Sequence, residues 1–545
     1  MAEASETDSN EATRSTGTVG VMASLRLVSL GTLLSRVLGL LRDMGMTALF
    51  GGGTILDAFI VAFRIPNLAR QVLGEGALST AFLPVFIRSR ELHGDLAARQ
   101  TLTLVTIVLT AAMTAIVIVA ELGIMLVCGT WQLEESTRLL LVLLALMLPY
   151  ALLICLAAVF CAALNALRQF VRPAFVPVVL NAIWLAGMGI VSHAALTHSA
   201  QAYWLAVFVT AAGVAQLVLP YFALRKSGMG LVRQWSGGWG DVREIIHSML
   251  PVLIGMSILQ ASAVFDSFVA WGLSRPDDGS TAWCQAIGIT PILEAGTASA
   301  IYIGQRMFQF PLGVFGIALG TVLYPVLTQH AQRGQLDLLR IDLSRGLRIV
   351  IAVGVPASAG LCIIAWPLTL AMFRHGNFTT EDALLTSRMI GIYGAGVWSY
   401  IGVAILNRAW YATGDRLTPM RLGLVALLLN QVLNLTLIWW VGGIGLALGS
   451  VISSGVLCLV TLWRLDLHVG PMDWPAIGKT LVKGLFATAV MTVASLAVMS
   501  LLPPPTGMLS KLMLLLAPCV TGAVVYLVVS KLTGMSELEE LLTKR

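Results

Sequence analysis

Residues 35–84 read SRVLGLLRDMGMTALFGGGTILDAFIVAFRIPNLARQVLGEGALSTAFLP. The stretch is two apolar helices meeting at Gly51-Gly52-Gly53, yet it carries Arg36, Arg42, Asp43, Asp57, Arg64, Arg70 and Glu75. A charge in the middle of a membrane helix costs about 2.5–3.5 kcal/mol on insertion scales, so it persists only where it faces protein or water. Charges this dense predict a wet, positively charged interior within a membrane protein.

The rest of the chain supplies that membrane protein. Of 545 residues, 57% are hydrophobic and 11% charged, against roughly 25% charged in soluble domains. Apolar runs near the ~20 residues that cross a bilayer recur about fourteen times. They are expected as helices over 25–50, 54–87, 100–127, 138–167, 174–194, 201–224, 245–273, 298–330, 346–373, 384–411, 418–440, 442–465, 476–502 and 508–533. The expected fold is therefore an all-α polytopic membrane protein of two six-helix lobes plus two extra C-terminal helices. Its layout is a disordered cytoplasmic tail over 1–20, an N-lobe over 21–226, a cytoplasmic linker over 227–244, a C-lobe over 245–468 and the last two helices with a tail over 469–545. The second helix is long enough to bend at Pro66 and again near Gly74 and Gly76.

The net charge of +6 marks topology rather than nucleic-acid binding, because most Lys and Arg sit in short loops. Counted over alternate loops, one side of the membrane receives only Arg138, Arg275, Arg374, Arg388 and Lys511. Most of the remainder fall on the side of the N-terminus, which predicts both termini in the cytoplasm and an even number of spans. Arg36, Arg42, Arg64, Arg70 and Arg306 are the basic residues placed within the membrane. Residues 1–20 lack the basic start and apolar core of a signal peptide, so the first helix is expected to direct insertion. The 7 cysteines are scattered, mostly in apolar runs and without metal spacing, and read as structural thiols.

An internal repeat is visible. Thr80-Ala-Phe-Leu-Pro84-Val85 matches Thr321-Val-Leu-Tyr-Pro325-Val326, and the spacing of Ala163, Ala166 and Pro173 recurs at Ala409, Ala412 and Pro419. The offset is about 245 residues, or six helices, so the two copies share one orientation.

Within the first copy, Arg36 and Asp43 are two turns apart on one helical face, as are Asp57 and Arg64. Arg64, Asn67 and Arg70 step by three around Pro66, whose missing N–H frees a carbonyl. Arg306 faces this cluster from the second copy. Buried ion pairs would account for Asp43 and Asp57. They do not account for five arginines against two mid-membrane carboxylates. Arginine stays charged and its fork fits phosphate oxygens, so the missing partner is an anion, a phosphate. Glu75 between Gly74 and Gly76 suits either a gate at an opened turn or a flexible bend. Asp266, with Asn430 and Asn434 on one face of the eleventh helix, offers oxygens for a small hard cation, or simple interhelical hydrogen bonds. No metal-spaced histidine pair, Walker loop or nucleophile elbow is present, which points to a transporter driven by a gradient rather than an enzyme.

SRVLGLLRD, DAFIVAFRIPNLARQVLGEGALSTAFLPVF and QRMFQFPLGVFGIALGTVLYPVL resemble the signature segments of the MurJ/MviN family of bacterial lipid II flippases. The resemblance implies the multidrug/oligosaccharidyl-lipid/polysaccharide exporter fold, with two lobes around a central cavity and a groove for the undecaprenyl tail at the last two helices. It implies lipid II as substrate and membrane lipids as surroundings, a monomer, no nucleic acid, and residence in the bacterial inner membrane. It places substrate contacts on Arg36, Arg42, Arg70, Arg306 and Asp57, to which Arg64, Asp43 and Asn67 are added from the helical face. A sodium site described in some members would fall on Asp266, Asn430, Asn434 and Ser450, making Na+ the one cofactor in view. Two departures stand out. The loop over 274–300 is longer than the family's and either orders as a periplasmic flap or has no role, and Gln309 replaces a carboxylate often found after the helix-8 arginine. A flippase for another polyprenyl-linked glycan, or an ion-coupled drug exporter of the same fold, are the alternatives. A drug exporter for cations would need carboxylates where this chain places arginines.

Overall fold

The computed structural model describes residues 3–538, the side chains of residues 3–25, 75, 254, 255, 258, 259, 261, 317 and 318 excepted. Backbone in lipid has no water to bond, so each segment must close its own hydrogen bonds, and the chain is helical almost throughout. The helices are α1 (Glu3–Phe50), α2 (Thr54–Ala69), α3 (Leu78–Thr130), α4 (Glu135–Ala166), α5 (Val171–His193), α6 (His198–Lys226), α7 (Trp239–Gly272), α8 (Thr297–Pro311), α9 (Ile317–Gln332), α10 (Leu336–Met372), α11 (Thr380–Ala395), α12 (Val397–Ala412), α13 (Leu417–Val441), α14 (Ile444–Val469), α15 (Trp474–Leu501) and α16 (Met508–Leu532). Wider π-helical turns, Arg70–Ala77 and Leu312–Gly316, join α2 to α3 and α8 to α9. Among the described residues the only strands are the two-residue β1 (Ser274–Arg275) and β2 (Leu293–Glu294), paired in parallel.

By length and apolar composition, 9 helices among the described residues could cross a membrane, or up to 11 if each bent pair is one span. One of them, Thr54–Thr130, runs for 77 residues and is broken at Gly94, whose φ of 82° only glycine adopts at little cost. α1 carries Arg36, Arg42 and Asp43 in its apolar part. Its backbone also corrects one expectation: the helix begins at Glu3, within the stretch expected to be a disordered tail. That stretch has no proline and no glycine before Gly17, so nothing in it breaks a helix.

The chain divides into two compact units, one of residues up to Leu49 with Ala58–Gln260, the other of Phe50–Asp57 with Ala261 onward. In the first, α4 packs on α3 and α6, and α5 on α6. Phe82, Phe86, Leu102 and Leu164 form its fully buried centre. The start of α7 is fastened to α3, where Thr101 donates to Asp241 at 2.5 Å and Arg88 to Glu244.

In the second unit, α12 packs on α14 and α13 on α14, while α10 carries α11, α12, α15 and α16. The two π turns occupy matching places, Arg70–Ala77 against α4 and Leu312–Gly316 against α12. The repeat read from Thr80 and Thr321 thus recurs as a pattern of helix neighbours. α15 and α16 lie outside it, packed on each other and on α10. Large apolar side chains such as Phe486 and Leu509 remain exposed on them, as lipid-facing helices require.

Candidate functional site

Arg42 is only 6% exposed. Its Nε and Nη2 donate to Asp43 Oδ1 at 3.1 and 2.7 Å, and its Nη1 donates to Asn181 Oδ1 at 3.2 Å. The Arg42 Cζ sits 4.5 Å from the centroid of the Trp184 ring. Asn181 and Trp184 are three residues apart on α5, so both point to one face of that helix. Asn181 Nδ2 also donates to the Ser35 carbonyl at 3.1 Å, so the amide clasps two turns of α1 at once. Arg36, one residue after Ser35, is exposed, and Asp43 pairs with its neighbour Arg42.

Along α2, Arg64, Asn67 and Arg70 are half-buried, and Arg70 Nε donates to Asn67 Oδ1 at 3.0 Å, as their spacing predicts. Where a bend was expected, at Gly74 and Gly76, the helix widens into the π turn Arg70–Ala77. Both glycines are needed for close approach: a Cβ on Gly74 would lie 3.0 Å from that of Ala158, and one on Gly76 would overlap the Met256 sulfur. Carbonyls released by the wide turn are capped locally, Ser79 donating to Gly74 O at 2.6 Å and Thr80 to Gly76 O at 3.1 Å. Glu75, the carboxylate expected at this gate, lies outside the described side chains.

Asp57 has a different partner from the one its spacing to Arg64 suggests. It is 1% exposed and accepts hydrogen bonds from the backbone N–H of Gly296 at 2.9 Å, Ala298 at 3.4 Å and Ser299 at 2.7 Å. It therefore caps the N-terminus of α8, where helix geometry leaves N–H groups without intrahelical acceptors and with a positive end-charge. The capping is reciprocal. Asp277, from the loop between β1 and β2, accepts from the N–H and hydroxyl of Thr54 at 3.3 and 2.5 Å, and Asp382 accepts from Gly52 N–H at 3.2 Å. A side chain on Gly53 would overlap the Asp277 carboxylate, and a Cβ on Gly52 would lie 2.7 Å from Asp382. These contacts explain the glycine triplet, and they give the long loop, expected either to order or to have no role, an anchoring contact.

In the second unit, Arg306 is half-buried and Gln309 exposed. Gln305 Nε2 donates to the Tyr393 hydroxyl at 3.2 Å, and Phe308 stacks on Tyr393 and Tyr400 with centroids 5.6 and 4.4 Å apart. Arg408, assigned from the sequence to a cytoplasmic loop, belongs to α12 and reaches the second π turn, donating to Gly316 O at 3.3 Å. Its guanidinium occupies the space that a side chain on Gly320 would fill.

The four residues expected to hold a cation do come together. Asp266 is 2% exposed and accepts from Asn434 Nδ2 at 2.8 Å. Asn430 Nδ2 lies 3.2 Å from Ser450 Oγ and 3.5 Å from Asn434 Oδ1, and Ser262 and Gln431 donate to Asn430 Oδ1. Their oxygens accept hydrogen bonds from neighbouring side chains, the interhelical pairing that the sequence also allowed, and a side chain on Gly449 would overlap Asn434. Among the described residues no three His, Cys, Asp or Glu side chains form a metal cluster.

Sequence reasoning missed Asn181, Trp184 and Asp382, and it gave Asp277 and Arg408 no contact. An uncharged amide and an indole on an apolar helix carry no signal of their own, and the loop aspartates acquire one only from what they touch.

A family model described as "Lipid II flippase MurJ" matches residues 46–517. The chain is 32% identical over 462 residues to "Probable lipid II flippase MurJ" of Vibrio cholerae, covering 81% of this chain and 82% of that protein. It is 29% identical over 454 residues to "Lipid II flippase MurJ" of Burkholderia cenocepacia, covering 82% and 83%. Among solved structures, "Lipid II flippase MurJ, inward closed conformation" superposes with a TM-score of 0.74 at 21% identity, covering 95% of this chain and 100% of that one. A multidrug resistance MATE family transporter of the MOP superfamily, in an inward-facing conformation, follows at a TM-score of 0.63 and 13% identity over 84% and 99%.

Proposed function

This chain belongs to the lipid II flippase MurJ family, and from that membership we propose how it carries lipid II from the cytoplasmic to the periplasmic leaflet of the bacterial inner membrane. The protein is a multi-pass transporter with no catalytic step of its own, acts as a monomer and keeps both termini in the cytoplasm. The arginines take the pyrophosphate of lipid II by charge-assisted, forked hydrogen bonds. The observation that carries this is the use made of Asp57, whose carboxylate is occupied by the backbone N–H groups of α8 and not by an arginine. A carboxylate spent on a helix end is not the partner of an arginine on the same helix, which supports a reading in which those arginines meet an anionic head group.

Alternating access then follows from which contacts must break. Asp57, Asp277 and Asp382 hold the turn between α1 and α2 against the start of α8, the loop after α7 and the start of α11. The π turns at Arg70–Ala77 and Leu312–Gly316 are the sites where α2 and α8 change direction. Asp266, Asn430, Asn434 and Ser450 would hold Na+, which supplies positive charge that neutralises the buried Asp266. The undecaprenyl tail stays in lipid along α15 and α16.

Rescue of cells depleted of their own lipid II flippase tests the reading, with Arg42→Ala and Arg306→Ala as controls. Rescue by the unmutated chain and failure of both variants is the expected result. Failure of the unmutated chain, though present in the membrane, overturns it, as does tight capture of hydrophobic cations without capture of lipid pyrophosphates.

A further inference from the structure

Among the partners of Arg42, Asp43 on one hand and Asn181 and Trp184 on the other differ in charge. Asp43 is an anion that neutralises the guanidinium it binds. Asn181 and Trp184 hold the same group and leave its charge intact, one through an amide oxygen and the other through the face of an indole. Both holders are themselves oriented. Asn181 must present its oxygen to Arg42 because its nitrogen is engaged by the Ser35 carbonyl. Trp184 is 3% exposed, donates from Nε1 to Met46 Sδ at 3.3 Å and is wedged between Phe59 and Phe63 at 5.5 and 5.0 Å. Its ring therefore cannot turn without repacking two phenylalanines.

We propose that Asn181 and Trp184 are positioning residues for lipid II, holding the Arg42 guanidinium in place as a cation while its acidic partner, Asp43, is exchanged for the pyrophosphate. The proposal rests on the flippase reading and deepens it. When an anion takes the Asp43 side of the fork, the guanidinium keeps the Asn181 hydrogen bond at Nη1 and the indole beneath its plane, so little ordering remains to be done at the moment of binding. A guanidinium without those holders would have to be ordered by the substrate itself. The indole is the better platform in a dry site, because attraction between a cation and a ring face grows as water is removed.

The test measures binding of undecaprenyl pyrophosphate to the full chain in nanodiscs, alongside lipid II transport. Trp184→Leu and Asn181→Ala are each expected to weaken binding by about tenfold, the order of one cation–π contact for the first and of one hydrogen bond to a charged group for the second. They should act on KM more than on kcat, whereas Trp184→Phe, which keeps a ring face, should stay within about twofold of the unmutated chain. In an Arg42→Ala background the Trp184→Leu change should cost nothing further, since the group it positions is gone. An equal loss from Trp184→Leu with and without Arg42 would make the indole merely structural and overturn the proposal, as would unchanged binding in both single variants. If the unmutated chain fails to bind the probe at all, the flippase reading itself falls.

Discussion

At the scale of single residues, Asp57 shows how a charge within a membrane protein is assigned. Its spacing to Arg64 suggested an ion pair along one helix, yet three backbone N–H groups at the start of α8 present it with a fixed, desolvated positive site. Asp57→Asn keeps the shape and removes the charge. It is expected to weaken the cap by about 1–3 kcal/mol, measured as faster hydrogen exchange of the amides over 296–299, and to abolish rescue of flippase-depleted cells. Unchanged exchange would mean that the cap contributes nothing. Gly320 offers a second test. Any side chain there displaces Arg408 from the Gly316 carbonyl, so Gly320→Ala should lower the melting temperature of the purified protein and slow transport. Arg408→Ala alone, with Gly320 kept, should lose the same hydrogen bond without the overlap and so be milder.

At the scale of elements, the π turns are the feature that the repeat predicts and regular helix geometry does not. Both recur at one place in the repeat: each ends within about five residues of its Thr80 or Thr321 segment and each packs on the equivalent helix. Gly76→Ala pushes a methyl into the Met256 sulfur, and overpacking of that kind costs about 1–3 kcal/mol. Transport should fall by at least about tenfold while the protein still reaches the membrane, if the turn must flex during the cycle. Full activity of that variant would show the turn to be static. An irregularity near Gly74 and Gly76 was legible in the sequence because glycine beside a carboxylate in an apolar helix is anomalous. The width of the turn was not, since it depends on the packing of Ala158 and Met256.

At the scale of the whole molecule, the C-terminal helices are tied to the second unit by a buried polar contact. Glu537 is 3% exposed, ion-paired with Arg348, and accepts from Thr480 Oγ1 at 2.7 Å, while Tyr526 donates to the Ala352 carbonyl at 2.6 Å. Burial alone would raise the Glu537 carboxyl, but hydrogen bonds from Thr480 and Arg348 outweigh it and hold the group below its ordinary 4.5. A depressed carboxylate contributes stability above its unfolded value and loses it as pH falls through the folded one. The melting temperature should therefore drop as pH falls below about 4.5, and Glu537→Gln should remove that part of the dependence while lowering stability at neutral pH. The sequence by itself determined the membrane class, the all-helical fold, the repeat and the density of arginine in the first two helices, because hydropathy and charge are sums over residues that need no partner. Only the tertiary structure decided which carboxylate neutralises which cation, why three glycines stand together, and that an asparagine and a tryptophan hold Arg42. Those assignments depend on distances of about 3 Å between residues far apart in the chain, and a hydrogen bond exists only where folding brings donor and acceptor to that separation.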